Sequence, residues 1–352
     1  MIEELLLLLI VFSWLYWLAA LWLARSFFET PEDLDLSYTP PVSILKAVKG
    51  VDAQAYENFA SFCRQDYPTY EILFGVADDD DPVIPLIERL QQDHPEKNIR
   101  LIVAPVQGAN RKAGMLHILA GQARHPILVM NDSDMRVTTD YLRRVVAPLA
   151  DSQVGLVTCL YRGASPVTLT ARLEALHMGI TFLPSVLVGR KVIRMRFAMG
   201  STEVIRKKDL ERLGGFSPIA DYLADDYQLG QRVAKLGLRV HLSNYVITCI
   251  LGATTFKTQW DREVRWAQCN RISRPVEYPG LLLSFSTPLA VLLLVISGFT
   301  WSAWQVLIIS LLLRWTLGWL VSGYTGDEVS RRWLFWLPMR DMLSAAVCCR
   351  LG

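Results

Sequence analysis

From Leu5 to Ala24 the chain runs through leucines, isoleucine, valine, alanines and tryptophans without a charged residue, about the 20 residues that a helix needs to cross a hydrocarbon core. Glu3 and Glu4 precede the run and no small-residue cleavage site follows it. It therefore predicts a retained transmembrane anchor over 1–28 rather than a removable signal peptide. Two further apolar stretches, Leu281 to Phe299 and Trp301 to Leu320, predict a transmembrane hairpin within 276–322, with Arg314 snorkelling from its second helix. The stretch Trp333 to Leu351 carries Pro338, Arg340 and Asp341 in its centre. This disfavours a clean span and favours an interfacial or re-entrant segment within 323–352.

Arg25, Arg271 and Arg274 flank these segments on the side of the middle of the chain, Arg331, Arg332 and Arg340 follow the hairpin, and Glu3 and Glu4 lie on the opposite side. The excess of basic residues places the middle domain in the cytoplasm of an integral, multi-pass membrane protein. The whole chain is 52% hydrophobic and 20% charged, too apolar for an ordinary soluble enzyme and too charged for a pure membrane bundle. A net charge of +2 without a concentrated basic stripe sets nucleic acid aside as a partner. The six cysteines lack the paired short spacing of a zinc site and read as packing residues in a reducing compartment.

After a proline-bearing linker over 29–41, short apolar runs at Val42 to Leu45, Glu71 to Val76, Arg100 to Val103 and Ile127 to Met130 predict strands. Helical patterns fall between them at Ala55 to Arg64, Val83 to Asp93 and Ala113 to Ala123. The alternation predicts an α/β domain with a mainly parallel sheet over 42–275, whose ligands gather beyond the carboxyl ends of the strands.

Acidic residues just after strands then matter most. Asp78 to Asp81 follows one strand and precedes Pro82, a pattern equally read as a helix cap. In Asn131-Asp132-Ser133-Asp134 two carboxylates one residue apart leave a strand end; such hard oxygen ligands suit Mg2+ or Mn2+ bridging phosphate oxygens. Asp225-Asp226-Tyr227 opens a helical stretch and can serve as cap or as general base. In Arg262-Glu263-Val264-Arg265-Trp266, Arg262 and Trp266 share a helix face, facing either a diphosphate and a sugar or the membrane interface.

In this order the four elements resemble the D, D, D, (Q/R)-x-x-R-W signature of inverting family 2 and family 21 glycosyltransferases, which have a GT-A fold. Within that group the chain is similar to ceramide glucosyltransferases and more closely to the bacterial hopanoid-biosynthesis branch. The likeness runs from about Pro41 to Pro275 through Leu45 to Asp52, Gln65-Asp66-Tyr67-Pro68, Gly155-Leu156-Val157-Thr158, Gly214-Gly215-Phe216 and Tyr222 to Tyr227.

The resemblance implies that Asp78 contacts uridine, that Asp132 and Asp134 hold the metal and diphosphate, and that Asp226 is the catalytic base. It gives Arg262, Arg265 and Trp266 to diphosphate and acceptor, and Lys112 to the nucleotide, although relatives commonly carry asparagines where this chain has Gly114 and Met115. The chain also ends at Gly352, before the basic tail that many relatives carry.

The implied reaction transfers glucose or N-acetylglucosamine from a UDP-sugar to a lipid hydroxyl, ceramide-like or hopanoid, with inversion, at a bacterial inner membrane. A processive polysaccharide synthase shares the carboxylates but needs enough helices for a polymer channel. A silent nucleotide-sugar-binding membrane protein would not need every carboxylate.

Overall fold

The structure, a computed structural model, describes residues 1–350; Leu351, the end of the expected C-terminal segment, and Gly352 lie outside them. The chain forms two units that exchange segments. One comprises Glu32–Tyr161 and Arg194–Ile250, the other Met1–Pro31, Arg162–Ile193 and Leu251–Gly352.

The first unit is built on a sheet whose strands, in chain order, are β1 (Val42–Val48), β2 (Tyr70–Val76), β3 (Asn98–Val103), β4 (Ile127–Met130), β5 (Met135–Arg136), β6 (Val154–Pro166), β7 (Glu203–Arg206) and β8 (Arg239–Gly252). Their order is β3-β2-β1-β4-β7-β6-β8-β5. The expected parallel arrangement holds across β3-β2-β1-β4, whereas β7 pairs antiparallel with both β4 and β6. The helices Ala55–Cys63, Ile84–Asp93 and Arg111–Gln122 make the crossovers. Apolar residues from β1, β2, β4 and the helix Arg111–Gln122 join Phe216, Leu229 and Val233 in one core. Gly75 has no room for a side chain, because a Cβ there would lie 2.4 Å from Met115 Sδ; helix and strand are in direct contact.

The second unit is helical. Three of its helical stretches are long and apolar enough to cross a membrane among the described residues: Ile2–Glu29, Leu169–Val192 and Trp301–Thr325. The expected first arm of the hairpin, Leu281 to Phe299, is not straight, because Tyr278–Ser284 and Ser286–Ile296 meet at 72°. Phe285 leaves the helical region at the break. Carbonyls freed there are taken up by the N-terminal helix, Leu283 O by Ser13 Oγ at 2.7 Å and Ser284 O by Trp17 Nε1 at 3.3 Å, which makes the kink tolerable in an apolar setting.

Leu169–Val192 escaped the sequence reading because Arg172, Glu174 and His177 interrupt its apolar character. It contains a π-helical turn, His177–Phe182, just before Pro184. Proline lacks the amide that would bond the carbonyl of Ile180, and Arg314 Nη1 reaches that carbonyl at 3.5 Å.

Arg314 does not snorkel. It is 1% exposed, holds Asp341 through Nε at 3.0 Å and Nη2 at 2.7 Å, and lies 3.8 Å over the Trp17 ring. A bidentate partner and an aromatic face satisfy the guanidinium where it stands. The neighbouring Arg340 pairs with Glu263 at 2.5 and 2.6 Å. The charges that disfavoured a span in the C-terminal stretch are thus halves of buried ion pairs.

Candidate active site

The carboxyl ends of β2 and β4 carry the first two acidic motifs. Of the cluster after β2, Asp81 is structural: its carboxylate accepts from the amides of Gly50 and Val83, each at 3.0 Å. Asp78 stays half exposed and takes Arg111 Nη2 on both oxygens, at 3.0 and 3.1 Å. Beside it, a cleft of about 380 Å³ is lined by Ala77 to Asp80 and by Val103, Ala104 and Pro105 at the end of β3.

The turn after β4 is clamped from below. Asn131 Nδ2 donates to Tyr141 Oη, Ser201 O and Thr202 Oγ1 at 2.8, 2.9 and 3.1 Å, and Lys46 Nζ, wholly buried on β1, donates to Asp132 O at 3.2 Å. Burial pushes the Lys46 ammonium down to about 7. Ser133 Oγ donates to Asp52. These contacts fix the two carboxylates: Asp132 pairs with Lys112 Nζ, and Asp134 Oδ2 accepts from Cys249 Sγ at 3.4 Å.

Burial, followed by the neighbouring Asp132 and Asp52, raises Asp134 to about 6, and its Oδ1 is buried without a hydrogen-bond partner. The donor set fits a divalent cation. Among the described residues no three acid, histidine or cysteine side chains converge as a cage, and one or two carboxylates completed by substrate phosphates and water is a common way of holding Mg2+.

Asp226 belongs to the same cluster. It stands in the first turn of the helix Asp225–Lys235 and is oriented by two backbone amides, Tyr227 N on Oδ1 at 2.7 Å and Gly200 N on Oδ2 at 3.1 Å. Gly200 also borders the Lys112–Asp132 pair, since a Cβ on it would lie 2.9 Å from Lys112 Nζ and 3.4 Å from Asp132 Oδ2. Burial and the adjacent Asp225 raise Asp226 to about 6, above the usual aspartate range. Burial opposes the charge on Lys112, but Asp132, Asp225 and Glu203 hold its ammonium well above the usual range.

Asp78, Lys112, Asp132, Asp134 and Asp226 therefore all lie in the sheet unit. The terminal motif lies in the helical unit, on the helix Phe256–Ser273. Arg262 pairs there with the buried Glu174, Trp266 stacks on His177 with 6.3 Å between ring centroids, and Arg265 is exposed. The shared face of Arg262 and Trp266 meets residues three apart on the neighbouring helical stretch.

Residues 5–350 match the family described as Glycosyl transferase family 21. The chain belongs to that family. Similar relatives of this family 21 chain include ceramide glucosyltransferase 3 of Caenorhabditis elegans, 26% identical over 262 residues, 71% of this chain and 57% of that protein. Beta-monoglucosyldiacylglycerol synthase of Synechocystis is 24% identical over 283 residues, 73% of this chain and 56% of that one. The family 21 chain thus spans a little over half the length of these two curated relatives. Its fold is that of a Pyrobaculum calidifontis mannosyltransferase solved with GDP-Man and Mn2+, with a TM-score of 0.64, 20% identity and 99% of each chain covered. These likenesses establish the mixed α/β GT-A architecture.

Several residues around the family 21 carboxylates were not singled out from sequence. Lys46 was detectable as a lone charge in the apolar run Ser43-Ile44-Leu45-Lys46-Ala47-Val48. Glu203, 1% exposed on β7, has its acidity suppressed by burial, with Asp225, Asp226 and Asp132 adding to the shift; a lone acid at the start of a short strand gives no pattern to read. Gly114 has a packing reason of its own, because a Cβ there would lie 2.5 Å from Val106 and 2.7 Å from Gln107 O. An asparagine does not fit without moving that loop.

Proposed function

We propose that this family 21 chain moves a hexose, glucose or N-acetylglucosamine, from a UDP-sugar to the hydroxyl of a membrane lipid, with inversion at the anomeric carbon. The observation that carries the reading is the placement of Asp226, a buried carboxylate fixed by two amides, one of which belongs to the glycine that abuts Lys112 and Asp132.

A base at a pKa of about 6 is mostly ionised at neutral pH yet basic enough to take a proton as a bond forms. Asp226 accepts the proton of the lipid hydroxyl while the hydroxyl oxygen attacks the anomeric carbon from the face opposite the diphosphate. Lys112, fully charged beside Asp132, stabilises the negative charge that collects on the departing UDP. Asp78 and the cleft beside it receive the uracil. Asp132 and Asp134 would hold Mg2+ or Mn2+, and a bound ion there supplies further neutralisation of the diphosphate. Arg262, Arg265 and Trp266 serve diphosphate and acceptor, as the family motif implies.

The helical unit, with apolar helices exposing Leu8, Phe12, Leu15, Trp22, Trp304 and Leu312, supports an integral membrane protein, and the flanking arginines favour a catalytic domain facing the cytoplasm, at a bacterial inner membrane. The curated relatives favour a ceramide-like or diacylglycerol acceptor; the hopanoid acceptor rests on the motif likeness. Purified full-length protein offered a panel of UDP-sugars and lipid acceptors, with products read by mass spectrometry, tests the reading. A lipid heavier by one hexose is the expected product; free sugar or polymer alone overturns it.

A further inference from the structure

The total charge of +2 conceals one dense basic cluster, which corrects the impression of a chain without a basic stripe. In Arg190-Lys191-Val192-Ile193-Arg194-Met195-Arg196 four cations are interspersed with three apolar residues and no acid intervenes. All four cations are exposed, and Val192 is 73% exposed. None of the four belongs to the site described above.

The position of the cluster gives it meaning. It begins in the last turn of the helix Leu183–Val192, at the end of the apolar stretch Leu169–Val192. Two contacts tie this end to the N-terminal helix: Tyr16 Oη donates to Ser185 Oγ at 2.8 Å, and the Arg190 guanidinium lies 4.9 Å from the Phe27 ring. Phe27 packs edge-on against Phe28, and Arg25 stands half a turn before them. Arginines at the end of a lipid-exposed apolar helix mark the boundary between hydrocarbon and water. Arg190 therefore sits at headgroup level on that helix, and Lys191, Arg194 and Arg196 follow within six residues of chain. Arg194 has φ +60°, which ends the helix there.

We infer that residues 190–196 bind the anionic headgroups of the bilayer, the four cations meeting lipid phosphates while Val192 enters the interface. Exposed cations with an exposed valine among them fit a lipid headgroup layer, where both kinds of side chain are satisfied; a free phosphate leaves Val192 in water. The inference rests on reading Ile2–Glu29 as a membrane span, and reconstitution tests that reading separately, since a chain that does not insert is not recovered in lipid nanodiscs.

The experiment is hydrogen–deuterium exchange of the full chain in nanodiscs of phosphatidylcholine alone and in nanodiscs that also contain phosphatidylglycerol. Amides of 190–196 are expected to exchange several-fold more slowly in the anionic discs. The slowing should vanish in 1 M NaCl, where the screening length falls to about 3 Å. Inorganic phosphate or an RNA oligonucleotide added to phosphatidylcholine discs should not reproduce it. The variant Arg190→Gln, Lys191→Gln, Arg194→Gln, Arg196→Gln should exchange alike in both discs; if it does not reconstitute, the salt dependence of the unaltered chain decides. Equal exchange of the unaltered chain in the two disc types, or equal protection by phosphate or RNA, overturns the inference.

Discussion

Asp226 and Gly200 are joined by a hydrogen bond of 3.1 Å from the glycine amide to the carboxylate, and the same glycine abuts Lys112 and Asp132, so that a Cβ on it would lie 2.9 Å from Lys112 Nζ and 3.4 Å from Asp132 Oδ2. The proposed base and the proposed diphosphate site are thus set against one residue, and a change at that residue is felt by both.

Gly200→Ala should lower turnover by up to about 10²-fold, because small displacements of reacting groups cost that much, while the melting temperature falls only slightly. The Cβ would meet the far end of a flexible lysine at 2.9 Å, which can swing away. Steady-state kinetics beside a melting curve checks this; unaltered turnover would separate Gly200 from the reaction.

Turnover should fall as the pH drops through about 6, where Asp226 takes up a proton. Its pKa is raised rather than depressed, so the active, ionised form is present above that value and lost below it. Asp225→Asn removes the neighbouring charge that adds to this shift and should move the acidic limb of the profile to lower pH. A profile flat from pH 5 to 8, or an unmoved limb in the variant, contradicts the assignment.

Asp134→Ala should weaken Mn2+ binding measured by electron paramagnetic resonance, and weaken UDP-sugar binding with it, because the orphaned Asp134 oxygen is proposed to meet the cation. Excess chelator should have the same effect on the unaltered chain. Donor binding and turnover indifferent to both would remove the metal from the account.

Arg314→Met alone should destabilise the helical unit by about 3–5 kcal/mol, since it leaves Asp341 buried without its partner. Arg314→Met with Asp341→Leu should recover much of the loss, because an apolar pair of similar volume often replaces a buried ion pair without cost. Thermal unfolding in detergent measures both; equal stability of the single variant would contradict the burial of Arg314 at 1% exposure.

The strand starts and ends around Asp78 and Asp132 were legible because apolar runs of strand length stop at acids and turns, and a hydrogen-bonded parallel sheet needs little else from sequence. The membrane side was harder. Glu174 and His177 hid Leu169–Val192, and Arg340 and Asp341 made Leu337–Cys349 look unsuited to an apolar setting, because partners distant in sequence, Arg262, Glu263 and Arg314, neutralise or cover them. Hydropathy counts a charge at its full cost and cannot see its partner. The kink at Phe285 was hidden for the same reason, as its freed carbonyls are satisfied from the far end of the chain.

The most direct test of the central claim is a single-turnover transfer with Asp226→Asn in lipid nanodiscs, following the glycolipid by mass spectrometry and UDP-sugar binding by calorimetry. The account predicts that donor binding stays within a few-fold of the unaltered chain while lipid glycosylation is abolished. Glycolipid formation at a near-normal rate by that variant would contradict it.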